Sequence, residues 1–122
     1  GFRRDVPSLM DLCTVVAAPS FDGEGSSAVI KEAMALGTPV VATALQGNTE
    51  VLDDAGVAIP VADAASLAEA VLKLLDDSKR CTDLAALGRK RCERWNPGTM
   101  AAGVLAAYDG LGQPAVLASE AV

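Results

Sequence analysis

The chain has 122 residues, 51% apolar and 21% charged, which suits one domain with a packed core. A net charge of −6, with no basic stripe interleaved with aromatics, argues against nucleic acid as a partner. The lack of any histidine excludes Ser-His-Asp and Cys-His catalysis, and histidine-ligated zinc, within these residues.

Residues 6–12 read as a short helix, with Asp5 as its cap and Pro7 in the first turn. "TVVAA" at 14–18 is apolar and β-branched and ends at Pro19, which predicts a strand buried on both faces of a parallel sheet. Residues 19–26 are loop, and a helix follows over about 27–36, stopped by Gly37. "PVVAT" at 39–43 is a second buried strand. A short helix over 48–53 leads to a third strand, "VAIP" at 57–60.

Asp63 opens the next helix, with Leu67, Ala70, Val71, Leu74 and Leu75 spaced along one core face. A helix over about 79–95 sets Cys81, Leu84, Ala85, Gly88, Cys92 and Trp95 on one stripe. Its basic residues Arg89, Lys90, Arg91 and Arg94 read as a solvated face. A last helix runs over about 97–111, and 112–122 read as a tail.

Strand and helix alternate through residue 75, the signature of βαβ units. The predicted class is α/β, with a Rossmann-like parallel sheet. Three strands make a thin sheet, so 1–111 read as the later half of a larger domain, with helices at its C-terminal end. The opening "GFRRDVPSLM" looks like the middle of a protein, and the expectation is a fragment. Three cysteines without metal spacing suit a reduced, cytoplasmic chain. No apolar run is long enough to span a membrane, and residues 1–12 lack a signal-peptide pattern.

The informative stretch is "PSFDGEGSSAVIKEAMALGTPVV", residues 19–41. Its loop lies at the carboxyl end of a parallel strand and just before a helix, where open α/β sheets bind ligands. Unpaired amides at the helix start suit a phosphate. Gly23 and Gly25 let backbone approach a ligand, and Ser26 and Ser27 can cap the helix or add donors. Glu24 is either a plain charge at a helix start or a carboxylate turned to a neutral donor such as a sugar hydroxyl. Glu32 has no basic residue at three or four positions either way. It is either a solvated polar position or an acceptor for a vicinal diol such as a ribose. "GEGSSA" is a weak match to a dinucleotide fingerprint, and Asp22 with Glu24 reads as a turn more readily than as a metal pair.

"EGSSAVIKEAMALGTPVVAT" resembles the core of glycosyltransferase family 4, the group 1 retaining enzymes of the GT-B fold. The matching pattern is Glu24, seven residues, Glu32, then "AMALGTPVV", with Pro19 and Ser20 ahead. "QGNTEVL" and "IPVADAASLAEAVLKLLDD" resemble the segments that follow. The resemblance implies the donor-binding half of such an enzyme. Glu24 would be catalytic, contacting the donor sugar near the reacting carbon. Backbone around Gly25, Ser26, Ser27 and Ala28 would hold diphosphate and sugar, and Glu32 would bind the ribose hydroxyls. It implies no metal and no cofactor, since the nucleotide diphosphate sugar is a substrate. The acceptor, a glycan, lipid or small molecule, would be held by an N-terminal domain that is not in this sequence. Such a protein would be cytoplasmic or peripheral at the inner face of the membrane.

The expected function is transfer of a sugar from a nucleotide diphosphate sugar to an acceptor, by a protein of which this chain alone is inactive. The rival expectations are a stand-alone nucleotide-diphosphate-binding module, an inert α/β domain, and a sugar-nucleotide epimerase on the same fold.

Overall fold

In the computed structural model, residues 1–111 are described, so the predicted tail at 112–122 lies outside the described residues. The elements in order are α1 (Val6–Asp11), β1 (Val16–Ala18), α2 (Ala28–Leu36), β2 (Val40–Thr43), α3 (Gln46–Leu52) and β3 (Val57–Ile59). They continue with α4 (Ala64–Asp76), α5 (Ser78–Cys92), a 3-10 turn (Glu93–Trp95) and α6 (Pro97–Leu111). The strands form one parallel sheet in the order β1-β2-β3, with Val16 opposite Val40 and Val41 opposite Val57.

Two apolar clusters cover the sheet. Val40 and Ala42 of β2 point to a core built with Ile30, Ala33 and Met34 of α2 and Val51 and Leu52 of α3. Val41 points to the opposite cluster, with Ile59, Leu74 of α4 and Leu84 of α5. β2 is buried at every residue, because it has a strand on each side and helices on both faces. β1 and β3 are not, and for β1 this departs from the expectation of a strand buried on both faces. They are edges among the described residues, and Ala17, beside Val41, and Ala58, beside Ala42, are exposed on opposite faces of the sheet.

Local signals explain where the helices stop and start. Gly37 ends α2 at φ 82°, and the amides of Gly37 and Thr38 close onto the carbonyls of Met34 and Ala33. Asp63 caps α4 by accepting from the Ser66 amide at 2.9 Å and from its hydroxyl at 2.6 Å. Those bonds hold the Asp63 carboxyl below its ordinary value.

Other expectations fail for identifiable reasons. Asp5 makes no side-chain cap, because Arg3 takes its carboxylate. That pairing lowers its pKa. Leu75 is exposed, since the core-facing stripe of α4 is narrower than its apolar spacing. α3 begins at Gln46, two residues before the predicted start.

The basic cluster on α5 is not simply solvated. Arg91 donates to the carbonyls of Val51 and Glu50 at 2.6 and 2.7 Å and pairs with Asp53 at 2.7 Å. Arg89 donates to the Leu36 carbonyl at 2.8 Å. Each guanidinium therefore closes the carbonyl end of a helix, α3 and α2 respectively, where a cation is favoured.

Candidate functional site

The loop between β1 and α2 is anchored from below. The Thr43 hydroxyl, at the end of β2, donates to the Ser20 carbonyl at 2.7 Å. The buried Asn48 amide in α3 donates to the Thr43 carbonyl at 3.1 Å, while its Oδ1 is buried without a partner among the described residues. Ser20 is therefore a node. Its carbonyl is held by the sheet, and its hydroxyl donates to Glu24 Oε1 at 2.7 Å. Glu24 is half-buried and turned to a neutral hydroxyl within its own loop. That orientation keeps its charge from pointing freely at the helix start.

Gly23 sits at φ 77°, a left-handed conformation that suits glycine. Gly47 matters for a different reason. A Cβ there would lie 2.2 Å from the Glu24 carbonyl oxygen and 2.4 Å from that of Gly25. The first turn of α3 thus supports the Glu24–Gly25 backbone directly, and only a residue without a side chain permits it.

Gly25, Ser26 and Ala28 are exposed and Ser27 is buried. Ser27 is the N-cap residue of α2 but makes no side-chain cap bond, and the first turn of α2 carries no acid. The two features that usually quiet a helix start are missing, which leaves its amides and partial positive charge for another acceptor.

Glu32 lies on the exposed side of α2, with Ala28, Val29 and Ala35. It lines a shallow groove with Lys31, Ala35, Cys92 and Trp95. The structure thus gathers Glu24, Gly25, Ser26, Ser27 and Ala28 around the start of α2. Glu32 sits a turn further on, beside different neighbours.

Several residues of this region were not legible as site residues. Lys31 donates to Ser26 Oγ at 2.5 Å and stands 5.3 Å from the centroid of the Trp95 ring. Arg91 and Arg94 also approach that ring, each at 5.8 Å. A lysine in the first turns of a helix, with no carboxylate three or four positions away to pair with it, was the available signal.

Elsewhere at the carboxyl ends of the strands, Pro19, Phe21, Thr43, Ile59, Pro60 and Leu67 help line an apolar hollow of about 200 Å³. It offers little for a diphosphate to bond.

The profile of the family described as "Glycosyl transferases group 1" matches residues 1–77, which include the whole loop and α2. The chain belongs to the group 1 glycosyltransferases.

Individual relatives agree. Phosphatidyl-myo-inositol mannosyltransferase of Mycolicibacterium smegmatis is 35% identical over 104 residues, covering 84% of this chain and 27% of its own length. D-inositol 3-phosphate glycosyltransferase of Xylanimonas cellulosilytica is 39% identical over 108 residues, 87% of this chain and 26% of that protein. Among solved structures, Anabaena HepE in complex with UDP-glucose superposes with a TM-score of 0.82 at 27% identity, covering 90% of this chain and 31% of that one. Sucrose-phosphate synthase from Thermosynechococcus elongatus gives a TM-score of 0.75 at 30% identity, covering 84% and 26%. The fold is therefore that of GT-B glycosyltransferases. The chain spans about a quarter of the curated relatives it matches, as the coverages of 27% and 26% state.

Proposed function

We propose that this chain is the donor-side segment of a retaining glycosyltransferase, which moves a sugar from a nucleotide diphosphate sugar to an acceptor. The observation that carries the reading is the arrangement at the start of α2. A family motif places an uncapped, acid-free helix start beside a glutamate already turned to a hydroxyl. The amides around Gly25, Ser26, Ser27 and Ala28 meet the diphosphate, where negative charge builds as the donor bond breaks. Glu24 exchanges its Ser20 bond for one to the donor sugar near the reacting carbon. Glu32, exposed on α2, accepts from the ribose hydroxyls. No metal or cofactor takes part in this reading.

Support for a nucleotide-sugar donor comes from the structural neighbour, whose complex contains UDP-glucose. The acceptor belongs to a further domain, and the segment alone does not transfer sugar. No helix among the described residues is long and apolar enough to cross a membrane. Free thiols at Cys13, Cys81 and Cys92 favour a reducing, cytoplasmic setting, with the enzyme free or resting against the membrane.

Kinetics of the assembled enzyme test the roles. Glu32→Ala should raise donor KM and lower turnover, whereas Glu24→Ala should chiefly lower turnover. The anomeric configuration of the product should match that of the donor. Unchanged kinetics in both variants, or an inverted product, would overturn the assignment.

A further inference from the structure

Lys31 is held by three different groups. Its ammonium donates to Ser26 Oγ, which precedes α2, and lies over the Trp95 ring that follows α5. Its backbone carbonyl accepts the Cys92 thiol at 3.4 Å. Burial pushes the Cys92 thiol up in pKa, against the opposing pull of Arg91 and Lys31, which keeps its proton available for that bond. Lys31 has no carboxylate partner among the described ion pairs.

A cation four residues into a helix opposes the helix dipole, and a lysine serving only solubility would extend into water. Here the side chain instead turns back five residues and bridges two elements. The Trp95 ring gives the ammonium an electron-rich backing that water alone would not. The residue it grips, Ser26, lies between Gly25 and Ser27 in the backbone assigned above to the diphosphate.

We propose that Lys31 is a positioning residue, which clamps Ser26 against the Trp95 platform and so fixes the Gly25–Ser27 backbone for an anionic ligand. The proposal rests on the donor reading only for what that backbone binds. The clamp itself is a statement about this chain. It also makes Trp95 a reporter, because the chain has 1 tryptophan.

The test uses the 122-residue chain as wild type, Lys31→Met and Lys31→Arg. Met keeps the apolar stem and removes the charge, whereas Arg keeps charge, donors and ring stacking. The expected results for Lys31→Met are a shifted Trp95 emission and backbone order parameters at Gly25, Ser26 and Ser27 that fall from about 0.85 toward about 0.6, as a loop released from one contact gives. Order parameters in β2 should stay unchanged, which separates a loosened loop from a loosened fold. Lys31→Arg should restore both readouts. Unchanged loop order in Lys31→Met, or a loss of order that Lys31→Arg does not rescue, would overturn the clamp.

Pyrophosphate, titrated into the same samples, separates the two proposals. Weaker binding by Lys31→Met supports the positioning role, and equal binding by both forms overturns it. If wild type shows the rescued loss of loop order but takes no pyrophosphate, the donor reading fails, while the clamp of Lys31 on the Gly25–Ser27 backbone is upheld.

Discussion

Gly47→Ala perturbs the candidate site without replacing any residue assigned to the donor. Its Cβ would sit 2.2 Å from the Glu24 carbonyl oxygen, 2.4 Å from the Gly25 oxygen and 2.6 Å from the Gly25 carbonyl carbon. These are backbone atoms, so no side chain can swing aside. Restoring ordinary contact requires the loop to retreat by about 1 Å. The retreat is possible because the loop is free on its outer side, where a Cβ at Gly25 would meet nothing within 4 Å. Overpacking of this kind costs about 1–3 kcal/mol. Alanine returns about 1 kcal/mol of helix propensity, since Gly47 lies within α3.

The net loss should therefore be small, about 0–2 kcal/mol by urea unfolding. The displacement should still be plain. Amide resonances of Glu24 to Ser27 should shift, and an error of that size at a reacting group costs on the order of a hundredfold in rate. Gly25→Ala is the control. It should leave stability within about 0.5 kcal/mol, and it should weaken donor binding because the new methyl stands where the ligand approaches. A Gly47→Ala chain that is more stable than wild type, with loop amides unmoved, would refute the packing argument.

Other predictions follow from the clamps and caps. Arg91→Met should destabilise the chain by about 2–3 kcal/mol in urea unfolding, because a charged donor to the Glu50 and Val51 carbonyls is lost at a site where the side chain is only 15% exposed. Arg91→Lys should recover only part of that, since an ammonium cannot span both carbonyls and Asp53 in one plane. For Asp63, the folded carboxyl titrates below its ordinary value, so its stabilising cap is fully present above about pH 4 and fades as pH falls through the folded value. The stability advantage of wild type over Asp63→Asn should thus be visible at pH 6 and vanish at strongly acid pH.

The sequence was most readable where one local interaction decides the outcome. Gly37 stops α2 because its left-handed turn needs nothing from elsewhere in the chain, and Asp63 starts α4 through a residue three positions on. "PVVAT" reads as a buried strand and is one, since an apolar run in the middle of a sheet is covered whichever way it faces. "TVVAA" reads the same way but is an edge, because coverage depends on neighbours that the strand itself does not encode.

The site shows the same division. The glutamate pair and the glycine-rich loop are contiguous and were visible as a pattern. The supports were not, because they come from distant residues. Gly47 supports the loop from α3, Thr43 ties it to the sheet, and Trp95 reaches it from beyond α5. The Arg89 and Arg91 side chains looked solvated because spacing along one helix cannot show a carbonyl end lying opposite.

The central claim is that the start of α2 receives the diphosphate of a nucleotide sugar. The most direct measurement is a titration of the isotope-labelled chain with UDP-glucose, followed through its backbone amides. The account predicts the largest shifts at Gly25, Ser26, Ser27 and Ala28, with a smaller set around Glu32. It also predicts that the shifts weaken with added salt, as attraction to a screened anion does. Shifts confined to Pro60 through Leu67, around the apolar hollow, or no shifts at any donor concentration, would contradict it.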